Sequence, residues 1–302
     1  MVPVRSRAEG RPDTMEWEGS FRVQTNELPG ILDGLRGMCT HTWWDMSDAG
    51  VVVRAVHYTS LSAMEVRWPL VDAEGHVRTC SGVSVPRDPT TICITSDGVA
   101  ALFGTLLDRA SLRSQVVTMS VGADRATICT AHSDPVGTAT VPGVAPDRRL
   151  SSLPGPSPAT DGPLACSITV GRLDLQHGTA ALSLMRCPVR VYVLRDSVFL
   201  GAVSELGVVS HNIPGIGPSH VHDTGGVPPP SYDDRRVWAL GLASGVVPCD
   251  GAPSASVAVK FTRIISRFGG CGGCTVHITV VDGHAVTLSV SRSVLLHLLH
   301  IA

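Results

Sequence analysis

Residues 21–70 read FRVQTNELPGILDGLRGMCTHTWWDMSDAGVVVRAVHYTSLSAMEVRWPL, and this stretch decides the fold. It opens with a short extended segment, after which apolar residues recur over 28–38 at the three- and four-residue spacing of one helix face. A compact strand at 42–46, a polar turn at 47–50 and a β-branched strand at 51–56 follow. The stretch therefore predicts a strand, a helix and two strands joined by a tight turn.

The same order of elements recurs along the rest of the chain. The further predicted elements are, in order, strands 76–83 and 91–94, a helix over 99–107, strands 116–121, 125–131, 138–144 and 167–170, a helix over 173–185, strands 189–194, 198–204, 207–210, 237–242 and 257–259, a helix over 261–268, and strands 275–280, 285–290 and 295–301. Each unit can bury one helix against one side of a sheet, and paired units can share a core. We expect an α+β fold of four β-α-β-β-β units, with antiparallel sheets outside and the helices lining one face.

The third helix is the least regular of the four. Gly178 interrupts its pattern, and Ala180, Ala181 and Leu184 are expected to form its apolar side. Because glycine disfavours a helix interior, we expect this helix to be broken at Gly178.

Residues 147–163, DRRLSSLPGPSPATDGP, are rich in proline, serine and glycine and show no periodicity. Such a composition is typical of a linker. We therefore predict a flexible N-terminus at 1–15, a first domain at 16–146, an interdomain connector at 147–163 and a second domain at 164–302.

The composition excludes several classes of protein. The 302 residues are 43% hydrophobic but only 4% aromatic, so we expect aliphatic cores, and the net charge of −2 argues against a basic nucleic-acid-binding chain or an acidic tail. The first 15 residues lack the apolar segment of a signal peptide, and no apolar run approaches the ~20 residues of a membrane helix. The nine cysteines do not form a disulfide framework, which indicates a reducing compartment.

The most conspicuous chemical motif is Cys271-Gly-Gly-Cys274, followed by His277 and His284. A tight helix-to-strand turn is the favoured interpretation, and a zinc site or a redox pair are the alternatives. No phosphate-binding loop, nucleophile elbow or zinc-protease motif is present. We therefore predict neither a catalytic residue nor a bound metal or cofactor, and the protein is not expected to be an enzyme.

Several strings occur in the order found in one known superfamily. WDMSDAG at 44–50 leads into VVVRAV at 51–56, SVFLGAVSELG stands at 197–207, and LLHLLHIA closes the chain at 295–302. In these strings and in its fourfold unit, the sequence resembles the sliding clamps of the proliferating-cell-nuclear-antigen type. It departs from them at His57, where an acidic residue is usual, and in having Lys260 as its single lysine. The chain therefore resembles a divergent member of this superfamily. Herpesvirus-type processivity factors and checkpoint-clamp subunits are similarly divergent relatives.

This resemblance implies a ring that encircles double-stranded DNA without reading its sequence and tethers a DNA polymerase. It also implies a clamp loader, self-association as a homotrimer, and a location in the nucleus or a viral replication compartment. One subunit of a heterotrimeric DNA-damage checkpoint clamp is the alternative within the superfamily. A β-rich metal-binding or interaction module that uses Cys271 and Cys274 is the alternative from another class.

A helical wall that faces DNA needs basic side chains, because duplex DNA is dense in phosphate charge. The fourth predicted helix offers the clearest basic stripe, whereas Arg36 on the first helix is opposed by Asp33. The candidate DNA contacts are Lys260, Arg263, Arg267, Arg109, Arg113, Arg36 and Arg172.

The resemblance also implies a groove for partner peptides beneath the connector and a subunit interface between paired strands. The residues matching the groove are Val56, Leu150, Leu153 and Ile301. The residues matching the interface are Arg125, Thr127 and Cys129 in one strand and Val189, Val191 and Val193 in another. Because such strands need a partner, we expect both of them at free sheet edges.

Overall fold

The computed structural model describes residues 15–25, 27–57, 62–72, 76–77, 90–107, 114–122, 124–130, 138–144, 165–221, 252–257, 275–281, 285–290 and 299–300. The predicted connector at 147–163, the predicted strand at 237–242 and the predicted helix at 261–268 lie outside these residues. The domain boundaries therefore stay predictions.

The first half of the chain alternates strands and helices as two complete units. Its elements are β1 (Met15–Gln24), α1 (Leu28–Met38), β2 (His41–Ser47), β3 (Gly50–His57), β4 (Ser62–Pro69), β5 (Thr90–Thr95), α2 (Ser96–Leu107), β6 (Ser114–Gly122), β7 (Arg125–Thr130) and β8 (Thr138–Pro142).

The second half repeats the order of the first unit as β9, α3 and three strands, and the described part of the chain then continues with strands only. Its elements within the described residues are β9 (Ala165–Gly171), α3 (Arg172–Ser183), β10 (Val189–Val193), β11 (Ser197–Ser204), β12 (Gly207–Pro214), β13 (His220–Val221), β14 (Ser254–Val257), β15 (Thr275–Val281), β16 (Ala285–Val290) and β17 (Leu299–His300).

The described strands form four sheets, ordered β1-β6-β7-β8, β17-β4-β3-β2-β5, β12-β11-β10-β14 and β13-β9-β15-β16. The units of each half exchange their first strands: β1 joins the strands that follow α2, and β5 joins the strands that follow α1. The second half repeats the exchange with β9 and β14. The pairings between these strands are antiparallel. The predicted α+β fold, built from paired β-α-β-β-β units, is confirmed.

Two glycines end the strings that carried the sequence resemblance, and both lie at hairpin turns. Gly50, between β2 and β3, has φ +144°, and Gly207, between β11 and β12, has φ +128°. Side chains rarely adopt this backbone region, so glycine is the residue that fits both turns. An added Cβ at Gly50 would also lie 2.4 Å from the carbonyl oxygen of Trp68.

The last strand of the first unit differs from the prediction. It is β4, with Met64, Val66 and Trp68 buried in the core, whereas the expectation placed this strand at 76–83. Of that range the structure describes residues 76–77, where Val77 forms one isolated bridge with Val71. The segment MEVRW alternates apolar and charged residues, which is the period of a strand buried on one face.

The third helix also differs from the prediction, because α3 runs continuously through Gly178. Its buried face includes Leu175, Gly178, Thr179 and Leu182, while all three residues of the expected apolar side, Ala180, Ala181 and Leu184, are exposed. The hydroxyl of Thr179 donates to the carbonyl oxygen of Leu175 at 2.7 Å, so this polar side chain is buried without an unmet hydrogen bond. Close packing against the sheet, and not hydrophobicity alone, therefore selects the buried face of α3.

The core of the first half has an aromatic centre, contrary to the expectation of purely aliphatic cores. Phe103 of α2 lies 6.2 Å from Trp44 of β2 and 5.6 Å from Trp68 of β4, measured between ring centroids. Trp68 stacks on Phe21 of β1 at 5.4 Å. Four aromatic residues thus meet where one helix contacts strands of both sheets, and their large rings bury much apolar area per residue.

A polar network crosses the opposite face of the five-stranded sheet. Asp45 of β2 accepts hydrogen bonds from Trp43 at 2.6 Å and Thr91 of β5 at 2.8 Å, and it pairs with Arg54 of β3. Arg54 also donates through Nε to Glu65 of β4 at 2.7 Å. The Trp-Asp pair of WDMSDAG therefore serves both faces of the sheet: Trp44 fills the core, and Asp45 belongs to a network that joins four strands.

Glu65 is the most buried acidic member of this network, with its side chain 5% exposed. Burial by itself raises the pKa of its carboxyl. Hydrogen bonds from Arg54 and Arg67, with the charges of both guanidinium groups, outweigh burial and hold the pKa below its usual range. A lowered folded-state pKa contributes stability above the unfolded-state pKa, and this contribution is lost as the pH falls through the folded-state value.

We expect Glu65→Gln to lower the free energy of unfolding at neutral pH by about 1–3 kcal/mol, since the mutation removes a charge-assisted pair of hydrogen bonds. The difference from the wild type should begin to shrink below about pH 4.3, the ordinary glutamate pKa that applies in the unfolded chain, and should be lost as the pH falls through the lower folded-state value. Urea unfolding at several pH values measures both effects. Glu18→Gln, on β1, is the matched control. A difference that stays constant from pH 7 to pH 3 would contradict the assignment.

Candidate DNA and subunit interfaces

The exposed faces of the helices are the candidate DNA-facing surface. On α1, Arg36 is exposed, and its guanidinium lies 3.5 Å from the carboxylate of Asp97 on α2. The counter-charge expected from Asp33 thus comes from a neighbouring helix. Opposite charges on exposed side chains largely cancel at a distance, so Arg36 contributes little net attraction for phosphate.

Arg172 does not fit its predicted role. It begins α3 but is only 4% exposed, so its side chain lies within the protein. A guanidinium in this position cannot reach a DNA phosphate, and the prediction that Arg172 contacts DNA is wrong. Sequence spacing could not reveal this, because the first residue of a helix can face either the core or the solvent.

The remaining candidate DNA contacts lie outside the described residues and stay predictions. They are Arg109, Arg113, Lys260, Arg263 and Arg267. Among the described helices, the exposed formal charges are Asp33, Asp97 and Asp174 against Arg36, a net charge of 1 − 3 = −2. The described helix surfaces are therefore weakly acidic.

The predicted subunit strands are not free edges. The strand β7, which carries Arg125, Thr127 and Cys129, pairs with β6 on one side and β8 on the other. The strand β10 likewise pairs with both β11 and β14. The expectation of two edge strands is wrong for both, because alternation of apolar residues does not distinguish an inner strand from an edge strand.

The valines of β10 are also inaccessible to a partner. Val189, Val191 and Val193 are at most 5% exposed and belong to the main core. These residues contribute to stability by burial, so the prediction that they form a subunit interface is corrected.

The strands β8 and β12 do lie at sheet edges within the described part of the chain. The strand predicted at 138–144 is β8, and Pro142 suits its edge position because proline has no N–H to donate to a neighbouring strand. The missed element is the edge at β12. The sequence feature that indicates this edge is the proline at the end of GVVSHNIP. In the structure, most residues of this strand are exposed.

The partner-groove candidates are partly described. Val56, near the end of β3, is 8% exposed and pairs with Ala63 of β4, which in turn pairs with Leu299 of β17. The fold therefore places Leu299 in the same sheet as Val56, two strands away from it. Leu150, Leu153 and Ile301 lie outside the described residues and stay predictions.

Two of the described thiols, those of Cys39 and Cys166, are poor nucleophiles. Burial raises the pKa of Cys166 to about 11, and burial also raises the pKa of Cys39 despite its hydrogen bonds. A thiol with a raised pKa carries little reactive thiolate at neutral pH.

The described residues offer no group of three or more His, Cys, Asp or Glu side chains that could hold a metal ion. Cys271 and Cys274 lie outside them, so the metal-site alternative stays a prediction. None of the helices in the described segments is long and apolar enough to span a membrane.

No protein-family model and no curated protein sequence matches the chain. Comparison of whole folds, however, finds similar solved structures. The proliferating cellular nuclear antigen of Entamoeba histolytica superposes with a TM-score of 0.63 at 12% identity, over 95% of this chain and 99% of that one. The A. fulgidus PCNA bound to the C-terminal region of FEN-1 superposes with a TM-score of 0.57 at 10% identity, over 94% and 97%. The chain therefore has the fold of the PCNA-type sliding clamps.

Proposed function

We propose that the chain is a non-enzymatic DNA sliding clamp. Copies of it close into a homotrimeric ring around duplex DNA, which a clamp loader opens, and the ring tethers a DNA polymerase and other partner proteins. The observation that carries the proposal is the clamp fold itself, which extends over 95% of the chain. Such a ring works where DNA is replicated, in the nucleus or a viral replication compartment.

The internal repeat supports ring closure through β8 and β12. The strand β4 is the last of the first unit and has a second partner, β17, from the last unit. The strand β12 is the last of the third unit and, within the described residues, pairs only with β11. In the same repeat, β17 is the last strand of the fourth unit and β8 is the last strand of the second, so β8 is the counterpart of β17. A β8 strand from another copy is therefore the partner that the symmetry supplies for β12.

Side chains around the two edges suit such a contact. On the β11–β12 hairpin, Val203, Leu206 and Val208 are 46%, 80% and 40% exposed, and Val144, just after β8, is 52% exposed. Apolar side chains beside an open strand edge favour association, because pairing satisfies backbone groups and removes apolar surface from water.

We expect the wild-type protein to have a solution mass of about 95 kDa, three times the 31.7 kDa chain. Val208→Lys should shift the mass toward the monomer, because a charge on an edge strand opposes pairing. Light scattering at micromolar concentration measures the mass of each variant.

Val77→Lys is the control for this experiment, since Val77 is 58% exposed but lies on neither edge strand. Its mass should match the wild type. A monodisperse wild-type monomer would exclude the homotrimer, whereas a wild-type mass for Val208→Lys would exclude β12 as the interface.

A ring should be retained on closed circular DNA and released when the circle is cut. Binding through basic side chains alone would not depend on whether the DNA is closed. Replacing Lys260, Arg263 and Arg267 together by glutamine should weaken salt-sensitive binding to DNA. The slope of log affinity against log salt should fall by about 0.9 for each phosphate that the variant no longer neutralises.

Arg36→Gln is the control for this charge series, because Arg36 is already paired with Asp97 and should leave the slope almost unchanged. Equal retention on circular and linear DNA would refute topological binding. A slope unchanged by the triple replacement would refute the assignment of the DNA-facing charges.

A second candidate is a subunit of a heterotrimeric clamp, and the acidic surface of the described helices favours it. With a net charge of −2 on these helix faces, a ring built partly from other chains could obtain more of its basic wall from them. Purification of the tagged chain from its host separates the candidates. Recovery with two different clamp-like chains supports the heterotrimer, and recovery of the chain alone as a trimer supports the homotrimer.

A further inference from the structure

Gly178 lies in the middle of α3 at the point where this helix packs against β12. A Cβ added to Gly178 would lie 2.4 Å from Cδ2, 3.1 Å from Cγ and 3.2 Å from Nε2 of His211. All three of these nearest atoms belong to one imidazole ring. The helix therefore accommodates the ring of His211 in a space that alanine would fill.

His211 lies on the side of β12 that faces the helix, with its ring against Gly178, although the residue remains exposed to solvent. Side chains alternate along a strand, so His211 shares its side with Val209, which packs on the core, and Ile213, which is fully buried. Among the described strands, β12 is the outer one of its sheet, and it packs against α3. The contact between His211 and Gly178 is thus one of the contacts between α3 and this strand.

A second mid-helix glycine provides a contrast. Gly104 of α2 has no atom within 4 Å of its added Cβ. Glycine is disfavoured relative to alanine in both helices, yet of these two only Gly178 faces a side chain that needs the space. The two positions therefore separate the effect of helix propensity from the effect of the His211 contact.

We propose that Gly178 and His211 are positioning residues for the subunit interface, because the imidazole seated on the helix holds β12 in place for pairing with a neighbouring subunit. This inference rests on the proposed ring. A side chain at position 178 displaces the imidazole, and the helix then no longer orders the edge strand before pairing. The contact between these two residues thus links the helix α3 to the proposed subunit interface at β12.

The test compares Gly178→Ala and Gly104→Ala, each in the wild-type and the His211→Ala background. Ring dissociation is followed by light scattering across a dilution series, and unfolding of each variant is followed thermally. We expect Gly178→Ala to weaken ring assembly by about tenfold, a size usual for contacting pairs. Gly104→Ala should raise the melting temperature and leave assembly unchanged.

In the His211→Ala background, Gly178→Ala should cause no further weakening of assembly, since the imidazole that it would displace is absent. This dependence on the background distinguishes positioning from a general disturbance of α3. An equal weakening in both backgrounds, or a Gly178→Ala variant that behaves as Gly104→Ala, would overturn the inference.

Hydrogen exchange on the monomeric Val208→Lys protein separates this inference from the proposed function. In that background Gly178→Ala should speed amide exchange along β12, while Gly104→Ala should not. A wild-type protein that forms no ring refutes the proposed function, and with it the role in assembly. Unchanged amide exchange in β12 refutes the claim that the contact of His211 with Gly178 positions this strand, even where the wild type forms a ring.

Discussion

The backbone of a sheet edge must find hydrogen-bond partners, and this constraint organises the structure. In the first half, β4 obtains its second partner from β17, at the far end of the chain. The equivalent strand of the second half, β12, has β11 as its neighbour within the described residues. Among the described strands, the repeated unit closes the edge at β4 and gives its counterpart β12 no second partner, and this is the edge through which we propose that copies of the chain assemble.

The strand β2 and its hairpin show how a short string can specify much of a sheet. Trp44 points inward and meets Trp68 and Phe103, whereas Asp45 points outward and contacts Thr91 and Arg54 on the two neighbouring strands. The glycine that ends the string supplies a turn conformation that other residues rarely adopt. Core, outer face and turn are thus encoded within seven residues.

Periodicity predicted α1, α2 and the hairpin of β6 and β7, because each of them buries one regular face. It failed for α3, where the buried side includes Gly178 and Thr179 and the solvent side includes Leu184. That choice depends on close packing against β12, which lies some thirty residues further along the chain. The candidate site was predicted less well, since Arg172 is buried and Val191 is interior to its sheet.

The sequence by itself determined the repeated order of strands and helices, the turn glycines and hence the clamp-like fold, because these depend on local periodicity and backbone preference. Only the tertiary structure decided which strands are edges, which arginine is buried and why Gly178 tolerates its place in a helix. These properties depend on neighbours that are distant in sequence. Which strand lies at a sheet edge, and which side chain contacts a helix, depends on residues far apart in sequence. A local sequence pattern does not contain that information.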